Sequence, residues 1–511
     1  MMTNRINDQL LSQISEFVTA RFGLHFPRKR WRDLERGIVC AAVEFGFKDA
    51  ALCSRWLIST QLNRSQLDIL AGCLTIGETY FFREPNSFDA LETQILPALI
   101  SSRRGKEQRL RIWSAGCSTG EEAYSIAILL QRLIADVSQW NITILATDVN
   151  PASLHKAVLG EYRDWSFRGI PHGIIERYFT RNGEGRFEIA AAIRKMVTFA
   201  PLNLAEDPYP SLTNNTNAMD VIFCRNVLMY FTPHRMKKAV ENFSHSLVAG
   251  GWLIVSPCEA SHTLFPQFEA VHFRNAILYR KDGQRIQPAA AAFPGAANGT
   301  TAPLPSPAIK LGIPQPPLFA PPLAQVFSAA VAVPEAAGPR ISPYEEALAL
   351  YRQGLYAEAQ TTLSGLLSNV AADAGQPVPE EAAVLLARLF ANQGDFTKAL
   401  EWTEKAIAVN KLDPEARYLE AIIFQEQGAV DAAVAALKKT LYLDHTFVLA
   451  HFALANLIRQ RGRVKEAARH LENAASLLAT YGDDDILPGS EGLSARRLGE
   501  IIVTTRESIA K

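Results

Sequence analysis

From Arg109 onward, short apolar runs alternate with longer segments whose apolar positions recur at helical spacing. RLRIWSAG, NITILATDVN, MDVIFCRN and WLIVSP have strand length and strand composition. EEAYSIAILLQRLIADV, PASLHKAVLG and TPHRMKKAVENFSHSLVAGG carry helical periodicity between them. Strands alternating with helices predict a mainly parallel sheet covered on both faces. Residues 1–90 show helical periodicity and no convincing strand. Within 160–200, NGEGRFEIAAAIRKMVTFA sets turn residues between two strand-like runs, which predicts a small antiparallel insert.

The pattern changes after Tyr279. From about Gly283 to Arg340 the chain is rich in Ala and Pro and reads as a linker. Beyond it Gly394, Gly428 and Gly462 recur at a constant interval, and Ala399, Ala433 and Ala467 follow in the same phase. Gly354 opens a similar frame upstream of Gly394, but out of phase. Glycine permits a tight turn between two helices, and the alanine that follows lets them approach. The interval, about 34 residues, and the helix–turn–helix pattern resemble the tetratricopeptide repeat. The resemblance covers roughly 341–480, and a loop and one last helix follow. The expected organisation is a helical subdomain (1–90), an α/β core (91–282), a linker (283–340) and an all-α repeat domain (341–511). The repeats are expected to dock a protein partner that the sequence does not identify. On so long a linker, they are expected to be dispensable for chemistry.

Composition adds constraints. The 511 residues suffice for about three domains. The 52 basic residues balance the 52 acidic ones, so net charge points to neither nucleic acid nor membrane. Six scattered cysteines form no C-x-x-C pair and read as reduced thiols. No metal site is expected. The N-terminus lacks the apolar core of a signal peptide, and no apolar run approaches the length of a spanning helix, so a cytoplasmic location without membrane insertion is expected.

The candidate chemistry lies in the first strand–loop–helix unit, Ile112 to Glu122. Small residues after a strand let a ligand approach the backbone at a helix N-terminus. There is no Gly-Lys-Ser/Thr ending, and Glu121 and Glu122 would repel a pyrophosphate. They suit a cationic amino-acid end, while Asp148 at the end of the second strand suits a ribose diol. A ribose and an ammonium group without phosphates describe S-adenosylmethionine.

The motifs TIGETYFFRE, WSAGCSTGEEAYSIA, ATDVN, Asn203-Leu204, DVIFCRNVLMYF and LVAGGWLIVSPCE occur in that order. The series resembles the CheR-type chemotaxis receptor glutamate methyltransferases over about residues 5–281. The resemblance implies an N-terminal helical subdomain and a Rossmann-like methyltransferase core with a small β insert. It implies methyl transfer from S-adenosylmethionine, leaving S-adenosylhomocysteine, to glutamates on the cytoplasmic coiled coil of a methyl-accepting receptor. Carried over by motif, the cofactor residues are Gly77, Thr79, Arg83, Gly116, Glu122, Asp148, Asn203, Leu204, Arg225 and Asn226. Gly77 stands where the family often has Asn. Arg83 and Tyr230 are the catalytic candidates, Arg83 to orient the attacking carboxylate and Tyr230 to line the transfer channel. Arg28, Arg32 and Arg36 recur every fourth residue on a predicted helix and are expected to meet an acidic receptor helix. A non-catalytic signalling scaffold that binds the same cofactor is the alternative.

Overall fold

The computed structural model describes residues 6–183, 185–261, 263–281, 342–353, 355–372 and 379–510. The expected linker at 283–340 and the early-frame Gly354 lie outside the described residues. The chain opens with helices α1 (Asp8–Phe22), α2 (Trp31–Glu44), α3 (Ala50–Ser59) and α4 (Arg64–Leu74). Ile14, Val18, Leu34, Ile38, Leu57 and Leu70 lie in their core. The Asn7 side chain caps α1, and Gly23 ends it at φ 76°. A Cβ on Gly23 would lie 2.1 Å from the Ala205 Cβ, so only glycine lets these helices close onto the following layer.

Helices α5 (Pro85–Ala90) and α6 (Leu96–Arg103) lead into the sheet. Its strands and those of the insert are β1 (Arg109–Ala115), β2 (Asn141–Asp148), β3 (Glu161–Tyr162), β4 (Phe179–Arg181), β5 (Phe187–Ile189), β6 (Val197–Pro201), β7 (Met219–Cys224), β8 (Leu247–Val255), β9 (Phe268–Phe273) and β10 (Ala276–Lys281). The seven-stranded sheet runs β6-β2-β1-β7-β8-β10-β9, and β3-β5-β4 form a separate three-stranded antiparallel sheet. Strands β6 through β8 in that order pair in parallel, and β10 and β9 close one edge antiparallel. Helices α7 (Glu121–Leu133), α8 (Pro151–Leu159), α9 (His172–Tyr178), α10 (Ala191–Arg194) and α11 (Pro233–Ser246) complete this part.

The insert is smaller than the sequence pattern predicts. Val197–Pro201 leaves it and joins the main sheet beside β2, where Val197 pairs with Ile144. LVAGG belongs to β8 and not to the preceding helix, because Gly250 sits at φ 76° and is incompatible with helical geometry. The β9–β10 hairpin goes beyond the predicted pattern.

Beyond the linker, four helix pairs follow among the described residues. They are α12 (Pro343–Arg352) with α13 (Tyr356–Ala372), α14 (Glu380–Gln393) with α15 (Phe396–Val409), α16 (Pro414–Glu426) with α17 (Val430–Leu443), and α18 (Val448–Gln460) with α19 (Val464–Leu478). Helix α20 (Ala495–Ala510) packs on the last pair. Gly394, Gly428 and Gly462 adopt φ of 82°, 75° and 77° at the turns, and Ala399, Ala433 and Ala467 are fully buried. No helix among the described residues is long and apolar enough to cross a membrane.

The repeats do not stand apart from the sheet. They press on the end where β1, β2 and β8 begin. A Cβ on Gly394 would meet Arg109, Ala218 and Val248, and one on Gly428 would meet Asn141. Asn141 Nδ2 donates to the Glu426 carbonyl at 2.9 Å, and the Arg109 guanidinium lies 4.4 Å from the centre of the Phe396 ring. In the same contact Arg111, almost wholly buried on β1, forms an ion pair with the equally buried Glu426 carboxylate. A guanidinium inside the protein needs such a partner, because stripping it of water is costly. The repeats, joined to the core by a long linker, are therefore seated on the base of the sheet.

Replacing Glu426 with Ala leaves that guanidinium buried without its carboxylate. Glu426→Ala is expected to destabilise the fold by about 3–5 kcal/mol, read from urea unfolding of the full chain. A change below about 1 kcal/mol, the scale of an exposed pair, would show that the contact is not formed in solution.

Candidate functional site

The opposite ends of β1, β2 and β7 frame a cleft of about 300 Å³, whose lining also includes Phe22 and Leu24 near the start of the chain and residues of the 74–83 segment. That volume is at the lower end for a small-molecule site. Its floor is the loop after β1. Gly116 sits at φ 84°, and a Cβ there would lie 2.4 Å from Val227 Cγ2, so glycine alone fits. Ser118, at φ 49°, donates its N–H to Asp148 Oδ2 at 2.8 Å, while Asn150 N–H donates to Oδ1 at 2.9 Å. Burial pushes the Asp148 carboxyl up, and these N–H groups pull it back toward the anion.

Glu122, at the start of α7, is buried and doubly held: Ser114 Oγ donates to one oxygen and Arg225 Nε to the other, each at 2.7 Å. Arg225 also donates to the Arg83 carbonyl and lies 3.5 Å from Glu84. Glu122 and Arg225, from different motifs, thus form one buried pair in the cleft wall.

Asn226 takes a left-handed φ of 58°, and its N–H donates to Glu259 Oε2 at 2.7 Å. Glu259 also accepts from the N–H groups of Val227, Met229 and Ser256. Burial raises its carboxyl and the four N–H groups lower it. Glu259 thus shapes the turn that carries Asn226 and Tyr230. Nothing local in the sequence marks this role, since most of the partners lie far from Glu259 along the chain.

The predicted residues Gly77, Thr79, Arg83, Gly116, Glu122, Asp148, Asn203, Leu204, Arg225, Asn226 and Tyr230 all line this cleft. The Gly77 carbonyl accepts from Ser118 Oγ at 3.2 Å, so the position contributes backbone. Asn203 Oδ1 accepts from Ala205 N–H at 3.0 Å and fixes the 203–205 turn. Arg83 at the mouth donates to the Glu78 carbonyl at 2.6 Å, while the Glu78 carboxylate pairs with Arg168 instead.

The basic run departs from the predicted single face. Arg28–Arg30 form a 3₁₀ turn after Pro27, and α2 begins only at Trp31. Arg28 therefore lies off the helix that carries Arg32 and Arg36. Arg28 pairs with Asp8 and Arg36 with Asp33 in exposed contacts. The residue that reaches the cleft lining is Arg30, whose guanidinium lies 4.5 Å from the centre of the Tyr230 ring. A continuous helical phase through this run sets Arg30 apart from the other three, which is why the count along the sequence passes it over.

Small residues at the loop, carboxylates at the strand and helix ends and the absence of a phosphate-type lysine fit a ligand with a ribose and an ammonium group. Residues 77–277 match the family model described as CheR methyltransferase, SAM binding domain, and 344–417 and 448–473 match tetratricopeptide repeat models. Chemotaxis protein methyltransferase 2 of Vibrio cholerae is 34% identical over 221 residues, 43% of this chain and 75% of that protein. Chemotaxis protein methyltransferase 1 of Pseudomonas aeruginosa is 35% identical over 217 residues, 42% of this chain and 77% of that protein. A chemotaxis protein methyltransferase of Listeria monocytogenes is 38% identical over 193 residues, 38% of this chain and 69% of that protein.

Asp148→Ala removes both a cleft-lining carboxylate and the anchor of the 116–118 loop. It is expected to weaken S-adenosylmethionine binding by about 1.5–3 kcal/mol, the scale of a hydrogen bond to a charged group. Calorimetric titration checks this, and an unchanged affinity in a folded variant would refute the assignment.

Proposed function

Because the chain belongs to the CheR family of chemotaxis methyltransferases, we propose that it methylates glutamate side chains on the cytoplasmic coiled coil of a methyl-accepting receptor. The observation that carries this reading is Arg83 at the mouth of a cleft lined by Glu122, Asp148 and Asn226.

S-adenosylmethionine supplies a methyl group carried on a sulfonium. Asp148 would hold the ribose, and Glu122 at the start of α7 would face the ammonium end, whereas Glu121 is turned to Thr119 and Ser166. A glutamate side chain is ionised at neutral pH, so no residue has to remove a proton from it. The protein's task is to position and desolvate. Arg83 has guanidinium N–H groups beyond the one bonded to Glu78, and a fork of such donors suits a carboxylate. Tyr230 walls the channel and is itself held by Arg30 against its ring and by the His25 N–H, which donates to its carbonyl at 2.6 Å. The rate gain is then mainly that of orientation.

Arg28, Arg32 and Arg36, with Arg30 nearest the cleft, would steer an acidic receptor helix. The pairs of Arg28 with Asp8 and Arg36 with Asp33 are exposed and worth about 0–1 kcal/mol each, so receptor carboxylates can replace them at little cost. The repeat array would dock a second protein.

Arg83→Ala is expected to lower methyl transfer to a receptor fragment about a hundredfold, the scale at which a misplaced reactant is penalised. Melting temperature should change little, and S-adenosylmethionine affinity should fall by far less than the rate. Activity that falls only with the amount of folded protein would make Arg83 structural.

Charge reversal at Arg28, Arg32 and Arg36 is expected to raise KM for the receptor and leave cofactor affinity unchanged. Wild-type KM should also rise with salt, because exposed charges are screened over about 8–10 Å. A KM indifferent to both would remove this face from substrate recognition.

A further inference from the structure

The first helices of successive repeats, α12, α14 and α16, touch one another in turn and present a common face. A turn of the chain's own C-terminal segment lies on that face. Residues 487–493 fold tightly: Leu487 N–H donates to the Leu493 carbonyl at 3.0 Å, and Ser490 N–H to the Leu487 carbonyl at 3.1 Å. Gly489, at φ 73°, lies against the rings of Phe447 and Tyr418, 3.3 and 3.7 Å from where its Cβ would be.

The turn presents Glu491, and donors from separate parts of the chain converge on its carboxylate. Tyr351 OH of α12 donates to Oε1, Arg388 of α14 stands 4.0 Å from that same oxygen, and Leu212 N–H of the segment before β7 donates to Oε2 at 3.0 Å. Asn392 Nδ2 donates to Tyr351 OH at 2.9 Å and fixes it. Glu491 itself takes φ 57°, a left-handed conformation that a residue with a side chain rarely adopts. Strain of this kind persists only where surrounding contacts enforce it.

Without Glu491, Arg388 would keep Glu415 at 3.6 Å, while the Tyr351 OH and the Leu212 N–H would lose the carboxylate they now bond. The arrangement is therefore a carboxylate-binding site with an occupant supplied from within. We infer that the inner face of the repeat array is a receptor for a carboxylate on a short turn, that residues 487–493 occupy it in cis, and that an acidic segment of a partner protein binds there by displacing Glu491. This rests on the reading of the repeats as a docking platform and specifies its surface.

The site also bears on the seating of the repeats. Leu212, which supplies one donor, belongs to the same segment as Asp207, and Asp207 pairs with Arg497 of α20 at 2.7 Å. Displacing Glu491 thus loosens a joint between the array and the 207–217 segment, whose Asp207 accepts at 2.6 Å from the N–H of Asn203 in the cofactor cleft.

The experiment uses the full-length chain and a fluorescein-labelled peptide of its own sequence, Asp484–Ser494, followed by anisotropy. Wild type should bind the peptide weakly, because the site is filled. Glu491→Ala should bind it at least tenfold more tightly. A peptide with Gln in place of the glutamate, or the double variant Glu491→Ala with Arg388→Met, should lose that gain. Equal binding by wild type and Glu491→Ala, or by the Glu and Gln peptides, would overturn the proposal. Glu491→Gln, which keeps size and removes charge, serves if the alanine variant does not fold, and the same gain is expected of it. A protein partner captured as well by wild type as by Glu491→Ala would leave the docking role standing and overturn this assignment of its surface.

Discussion

The architecture turns on one buried guanidinium. Arg111 lies near the start of a strand in the interior of the sheet, almost without solvent contact. An arginine cannot shed its charge in a protein, and burying it without a partner costs several kcal/mol. Its answering groups are the Glu426 carboxylate, the Asn217 carbonyl at 3.2 Å and Asn215, whose carbonyl also accepts at 3.2 Å. Both asparagines come from the segment before β7, and the glutamate comes from the array of helix pairs. The neighbouring positions follow the same logic, since Arg103 pairs with the buried Asp220 and Arg109 stacks on Phe396. The starting edge of this sheet is thus charged where an uncovered edge would face water, and the repeats are the cover it requires. Turn glycines at 394 and 428 let their backbone come close enough to provide it.

The same constraint organises the other end. Glu122 and Arg225 would each be costly alone in the cleft wall, yet together they fix the start of α7 to the end of β7. Glu259 gathers four backbone N–H groups and holds Asn226 in a conformation an isolated chain would avoid. The groups that line the cleft are therefore fixed in place by the protein's own contacts. Positioning would be the main contribution open to such an enzyme if its nucleophile is the proposed ionised glutamate.

Much of this is legible in the sequence because the relevant chemistry is local. Gly116, Glu122, Asp148, Arg225 and Asn226 stand at the ends of strands or the start of a helix, where side-chain type and fold position are read together. Arg30 and Glu259 escape such a reading because their meaning depends on partners elsewhere in the fold: Arg30 on Tyr230, in a different subdomain, and Glu259 on the turn at 226–229. The i, i+4, i+8 count on the basic run fails for a smaller reason: a 3₁₀ turn follows Pro27, and the helical phase begins at Trp31. The seating of the repeats does leave a trace. RLRIW places two arginines on a strand whose every residue is buried, and charges there demand partners from outside the strand itself.

Along strand β1 the two ends of the molecule are coupled through stability more than through shape. Strand β1 carries Arg111 near its start and leads into Gly116, roughly 17 Å of extended chain at about 3.3 Å per residue. It is paired along its length with β2 and along its middle with β7. Coupling that changed the cofactor cleft would need an element with two discrete arrangements, and a strand locked on both sides is not one. The repeats also do not cover the cleft, whose lining residues run from Phe22 to Cys258. A protein held on the array and a receptor helix held at Arg83 would therefore not compete for the same residues. Were the docked protein part of the same complex as the proposed receptor, engaging both would make the second encounter intramolecular and raise the local concentration of substrate without altering the chemistry.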